Sequence, residues 1–199
     1  VSLTRLERAL RANGFATLNI DYASRRKPIA GLADDIHPEV ARFAKREAPL
    51  HFVAHSMGGL VTRAYIAKYR PDRLAGVVML GTPNGGSEVA DLLSGYRLYN
   101  AFYGPAGLEL TTTSTSRPDA LPAVDYPVGV IAGNRFIDPV AGLLVLPKPN
   151  DGRVSVQSAM VAGMADHIVV KASHTGLPRH AGAIEQTIAF LRDGRFRTV

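Results

Sequence analysis

FVAHSMGG, residues 52–59, sets an apolar run, a histidine, a serine and a pair of glycines in eight consecutive positions. Upstream it belongs to LHFVAH (50–55), a segment that reads as a buried strand. Downstream, Leu60, Val61, Ala64 and Tyr65 recur at helical spacing until Pro71 stops the pattern. Ser56 therefore sits where a strand turns into an amphipathic helix, and it has two readings. Serine is a preferred helix N-cap, a role that needs no chemistry. Alternatively, the small residues on both sides permit the sharp turn that exposes a nucleophilic hydroxyl. The pattern A-H-S-M-G then differs from G-x-S-x-G only by Ala54 in place of the first glycine.

Working outward, Leu3, Leu6 and Leu10 predict a first helix over about residues 2–13, with Thr4 and Glu7 in a capping-box pattern and Asn13-Gly14 as a left-handed stop. FATLNIDY (15–22) is predicted as a strand. Ile29, Leu32, Ile36, Val40 and Phe43 mark one face of a helix ending near Glu47, with Pro38 as a kink point. LAGVVML (74–80), VGVIAG (128–133) and HIVVKA (167–172) are continuous apolar strands, and Ile184, Ile188 and Leu191 predict a closing helix between Gly176 and Gly194.

Strands that are apolar throughout, separated by amphipathic helices, imply a mostly parallel sheet covered on both faces. The expected architecture is a three-layer α/β/α sandwich forming one domain over residues 1–199, without repeats or a composition shift. Residues around 87–127 break the alternation: Tyr96, Tyr99, Phe102 and Tyr103 precede Gly104-Pro105 and the run TTTSTS. A long segment of this kind is expected to be a lid, or else a satellite core built on its aromatics.

The composition, 46% hydrophobic and 20% charged in 199 residues, is that of a soluble globular domain. No stretch reaches the roughly 18 apolar residues of a membrane span, and no signal peptide is visible after Val1. Cysteine is absent, which excludes disulfides and thiolate chemistry but leaves the compartment open. The net charge of +6 comes from scattered residues, with Arg25, Arg26 and Lys27 the one tight triplet, so a nucleic-acid partner is not expected. No metal-ligand spacing occurs and no cofactor is expected. Oligomeric state is not legible.

A serine hydroxyl is a poor nucleophile at neutral pH and needs a base, which in turn needs an orienting group. In open α/β sheets such groups gather at the carboxyl ends of the strands. Of six histidines, His174 follows the strand 167–172 at that end, while His167 lies at its opposite end, about 20 Å away along six extended residues. His180 enters the last helix, His55 is expected to point to the opposite side of the strand end from Ser56, and His37 and His51 lie toward the wrong ends of their elements. The candidates for the acid are Asp138 and Asp151. Asp151 is the better placed, because Asn150-Asp151-Gly152 is a turn sequence that presents a short carboxylate at a loop tip; the alternative is an Asx-type turn with no chemistry. The chain order Ser, Asp, His is the one associated with α/β-hydrolases.

Together AHSMGG, LGTPNGGSEVAD (80–91), NDGRVSVQSA (150–159) and SHTGLPRH (173–180) resemble compact bacterial α/β-hydrolase lipases and esterases, including the branch similar to GPI inositol-deacylases. The small bacterial lipases share the elbow alanine, and their acid and histidine lie some two dozen residues apart, as Asp151 and His174 do here. The resemblance implies that Ser56 attacks an ester carbonyl, that His174 takes and returns the proton, and that Asp151 holds His174. The backbone N–H of Met57 would be one oxyanion donor, and LGTPN would floor the cleft. The implied partner is a small acyl ester or a lipid.

One departure stands out. In the family a strand and a His-Gly-type loop precede the first helix and supply the second oxyanion N–H, whereas no His-Gly dipeptide occurs in this sequence. The expectation is that the natural protein extends beyond Val1, that strands of its sheet are missing from these residues, and that the 199 residues alone would be impaired. The competing readings are an acyltransferase, which uses the same triad but excludes water, and a binding domain that kept the fold without turnover.

Overall fold

The computed structural model describes residues 3–22, 27–85, 121–135 and 147–198. Its centre is a parallel sheet of four strands, β1 (Leu50–His55), β2 (Leu74–Leu80), β3 (Val128–Gly133) and β4 (Asp166–Val170), in the order β1-β2-β3-β4. The α-helices among the described residues are α1 (Thr4–Ala12), α2 (Ile29–Ala44), α3 (Met57–Tyr69), the single turn α4 (Val156–Ala159) and α5 (Ala181–Asp193). None of the described helices is long and apolar enough to cross a membrane.

Alternation along the strands divides the side chains between two cores. Val77 and Met79 of β2, with Val128 and Val130 of β3, pack against Leu32, Ile36, Val40, Leu60 and Ile66 of α2 and α3. Val78, Leu80 and Ile131 point the other way, against Leu6 and Leu10 of α1 and Ile184, Phe190 and Leu191 of α5. The result is a three-layer α/β/α sandwich, and it explains why β2 and β3 read as unbroken apolar runs: both faces of each are covered. Pro38 lies inside α2, and α3 ends on Arg70 in a left-handed conformation before Pro71.

Two expectations are corrected. The helix α1 starts from Leu3 without a side-chain cap bond. Glu7 is drawn away from a capping box by Arg11, Thr17 and Asn19, all of which hydrogen-bond to its carboxylate. Residues 15–22 are not a strand. A strand exists only where a neighbour completes its ladder, and among the described residues β1 pairs with β2 alone. Between residues 14–22 and the free edge of β1 runs a groove of about 600 Å3, lined by both segments, with Leu6, Leu10, Ile36 and Val40 contributing from the two layers. Most of β1 is in consequence half-buried, unlike β2 and β3.

Residues 86–120, which include most of the expected lid, lie outside the described residues, as does Asp138. From Leu121 the chain returns along the sandwich, with Val124 buried against the α2 and α3 core.

Candidate active site

Ser56 joins the carboxyl end of β1 to the first residue of α3. Its N–H donates to the Leu80 carbonyl at the end of β2 (2.9 Å), so the turn is tied to the neighbouring strand. The backbone takes φ 56° and ψ −133°, a conformation that costs a non-glycine residue free energy and is held by its surroundings. Although Ser56 occupies the N-cap position, its side chain makes no cap hydrogen bond. The hydroxyl instead meets His174 Nε2 at 2.9 Å.

His174 lies in the turn after β4, and its Nδ1 is 2.8 Å from Asp151 Oδ2. A carboxylate only accepts, so Nδ1 carries the ring proton, Nε2 is bare, and the Ser56 hydroxyl donates to it. Both partners are deeply buried, His174 at 4% exposure and Asp151 at 2%. The other carboxylate oxygen of Asp151 accepts the N–H groups of Arg153 and Val154, each at 2.9 Å, which closes an Asx-type turn. Its main-chain carbonyl accepts the His174 N–H at 2.9 Å. The turn and the contact with His174 are thus two aspects of one loop rather than alternatives.

The loop after β2 closes the back of this cluster. Gly81 has φ +55°, and a Cβ there would stand 2.9 Å from Leu177 Cδ1, 3.1 Å from Asp151 Oδ2 and 3.3 Å from His174 Nδ1. Any side chain would press on the His174–Asp151 pair, so this glycine does more than form a turn. A Cβ on Gly59 would overlap the Thr82 side chain, which brings the first turn of α3 hard against the same loop. Buried Arg63 donates to Asn84 Oδ1 (3.1 Å) and to the carbonyls of Leu121 and Pro122, and Asn84 Nδ2 donates to the Ala159 carbonyl (2.8 Å). The LGTPN segment is thereby fixed to α3, to the segment entering β3 and to α4.

Met57 opens α3, so its N–H has no acceptor within the helix and lies at the positive end of thirteen residues of helix. Among the remaining histidines, His37 stacks on Tyr69 with ring centroids 3.8 Å apart. His51 and His167 each keep one buried ring nitrogen without a hydrogen-bond partner, and burial holds both below the usual histidine pKa. His180 caps α5, accepting the Ala183 N–H. The groove beside β1 is lined by neither Ser56 nor His174.

The contact that sequence reasoning missed is the one His55 makes with His174. Strand alternation does send the His55 side chain away from Ser56, but the turn after β4 folds over that side of β1. The His55 ring comes to 4.8 Å from the His174 ring, centroid to centroid, with Nε2 2.9 Å from the His174 carbonyl oxygen. Burial first, and the neighbouring His174 second, push its pKa down to about 4. No local sequence signal places these two loops together.

A sequence profile of the alpha/beta hydrolase fold matches residues 13–121, more than half of the chain. Among solved structures, the mature form of the Bacillus licheniformis lipase BlEst2 is similar over 94% of this chain and 82% of its own, with a TM-score of 0.69 at 18% identity. The Legionella pneumophila phospholipase PlaB gives a TM-score of 0.69 at 17% identity, over 97% of this chain and 56% of its own. A metagenomic carboxyl esterase gives 0.63 at 21% identity, covering 84% and 57%. The chain thus spans little more than half the length of the last two. At these identities the likeness is one of fold.

Proposed function

The chain belongs to the alpha/beta hydrolase fold family, and from that premise we propose that it is a serine hydrolase of lipase or esterase type that cleaves carboxylic acyl esters through an acyl-enzyme intermediate. The observation that carries this reading is the unbroken hydrogen-bonded line from the Ser56 hydroxyl through the His174 imidazole to the Asp151 carboxylate. That the neighbours in fold include a lipase, a phospholipase and a carboxyl esterase supports the choice of ester bond.

In this mechanism Ser56 Oγ attacks the substrate carbonyl carbon while His174 Nε2 takes the hydroxyl proton. Asp151 stabilises the resulting imidazolium and fixes its orientation. The oxyanion of the tetrahedral intermediate receives the Met57 N–H, aided by the positive end of α3. As the intermediate collapses, His174 returns its proton to the leaving alcohol. Water then enters, gives a proton to the same nitrogen and attacks the acyl carbon; as this second intermediate collapses, His174 passes that proton to Ser56 Oγ, the acyl–oxygen bond to Ser56 breaks, and the acid leaves.

The test is labelling with a fluorophosphonate, followed by hydrolysis of p-nitrophenyl esters of rising chain length. Wild type should label, and Ser56→Ala should lose both labelling and turnover, by about 10⁴-fold or more. Labelling that persists in Ser56→Ala would move the nucleophile elsewhere, and a wild type inert to both reagents would favour a binding role. A rate that climbs with acyl length indicates a lipase-like pocket.

A further inference from the structure

We propose that His55 is a positioning residue for His174: its Nε2–H, donated to the His174 main-chain carbonyl, ties the loop that carries the imidazole to the end of the strand that carries Ser56. This inference rests on the reading of Ser56, His174 and Asp151 as the reacting groups.

Three observations support it. The distance from His55 Nε2 to the His174 carbonyl oxygen is 2.9 Å, and since a carbonyl only accepts, His55 must be the Nε2–H tautomer with Nδ1 bare. The contact joins residues adjacent to the two partners that must meet: His55 precedes Ser56 in the chain, and the bond ends on the main chain of His174 itself. The His174 main chain is consequently held from two sides, by His55 at its carbonyl and by the Asp151 carbonyl at its N–H. The side chain is held by Asp151 Oδ2. With main chain and ring both fixed, Nε2 has little freedom except to face Ser56 Oγ, and displacements below an ångström at a reacting pair change rates severely.

The chemistry also requires His55 to stay uncharged. During the reaction His174 becomes a cation with its ring 4.8 Å from that of His55, and a second cation there would raise the energy of that state. The groups that act on His55 charge are His174, Asp151 and Arg153, and burial outweighs them all in favouring the neutral ring. His55 therefore donates a hydrogen bond throughout the cycle without exchanging its proton.

The experiment compares His55→Phe, which keeps a ring and loses the donor, with His55→Gln, whose amide nitrogen can stand near Nε2. His55→Phe should lower kcat on p-nitrophenyl butyrate about tenfold while KM stays within about twofold, and His55→Gln should recover most of the loss. A His55→Phe enzyme with wild-type kcat overturns the inference, as does an equal loss in both variants. If His55→Phe does not fold, imidazole nitrogen NMR of the wild type decides. A neutral Nε2–H tautomer for His55 from pH 8 down to about pH 5.5 upholds the proposal, and an Nδ1–H tautomer or a cation in that range overturns it. A wild type that neither labels nor turns over defeats the hydrolase reading instead, and the NMR result still judges the His55 contact.

Discussion

At Ser56 the backbone is held in a conformation that glycine adopts freely and serine does not, with φ 56° and ψ −133°. The restraint comes from the Ser56 N–H bond to Leu80 and the immediate start of α3. Replacing Ser56 by glycine should therefore stabilise the fold by about 1 kcal/mol while abolishing turnover, whereas alanine, which retains a Cβ, should abolish turnover without that gain. Urea unfolding of the two variants reads the difference. Coincident midpoints would mean that the turn stores no strain. The position of Ser56 at a tight strand-to-helix turn was legible from its small neighbours and from the strand and helix on either side. Its release from capping was not, because what competes for the hydroxyl is His174, 118 residues away.

Among the elements, β1 is the instructive one. The bounds of β2 and β3 follow from unbroken apolar runs, because strands covered on both faces carry few polar residues, and those of β1 follow from a mostly apolar run that His51 and His55 interrupt. The partners of β1 do not follow. Leu50 and Ser56 donate their N–H groups to Arg73 and Leu80 on the β2 side. By strand alternation Phe52 and Ala54 face β2 as well, and His51, Val53 and His55 face the groove. Amide hydrogen exchange should reproduce this parity, with His51, Val53 and His55 exchanging at least about tenfold faster than Phe52 and Ala54. Uniform protection along β1 would mean that the groove edge is covered. FATLNIDY has the composition of a strand, yet its residues line the groove without a ladder, because composition reports compatibility with extension and not the presence of a neighbour.

At the scale of the whole molecule, half-buried histidines tie folding to pH. The pKa of His55 is lowered to about 4 by burial and then by His174, and burial lowers those of His51 and His167. Each folded-state value lies below the unfolded value of about 6.5, so the unfolded chain binds more protons in the interval between them. The stability they contribute is complete above about pH 6.5 and is lost as pH falls through the folded values, toward pH 4 for His55. Urea midpoints should therefore decline from pH 7 to pH 5, more gently in His55→Gln. A midpoint unchanged over that interval would contradict the burial of these rings.

The sequence by itself determined the four paired strands and the longer helices that flank them, that Ser56 and His174 follow the carboxyl ends of strands, and that Asp151 lies in a turn between β3 and β4, because periodicity, turn chemistry and the one-sided geometry of a parallel sheet act within a few residues or by rule. Only the tertiary structure decided that residues 15–22 lie beside β1 without pairing, that Gly81 backs the His174–Asp151 pair, and that His55 holds the His174 loop. These depend on contacts between parts of the chain far apart in sequence. Such contacts are fixed by how three layers pack, and no local pattern of residues encodes them.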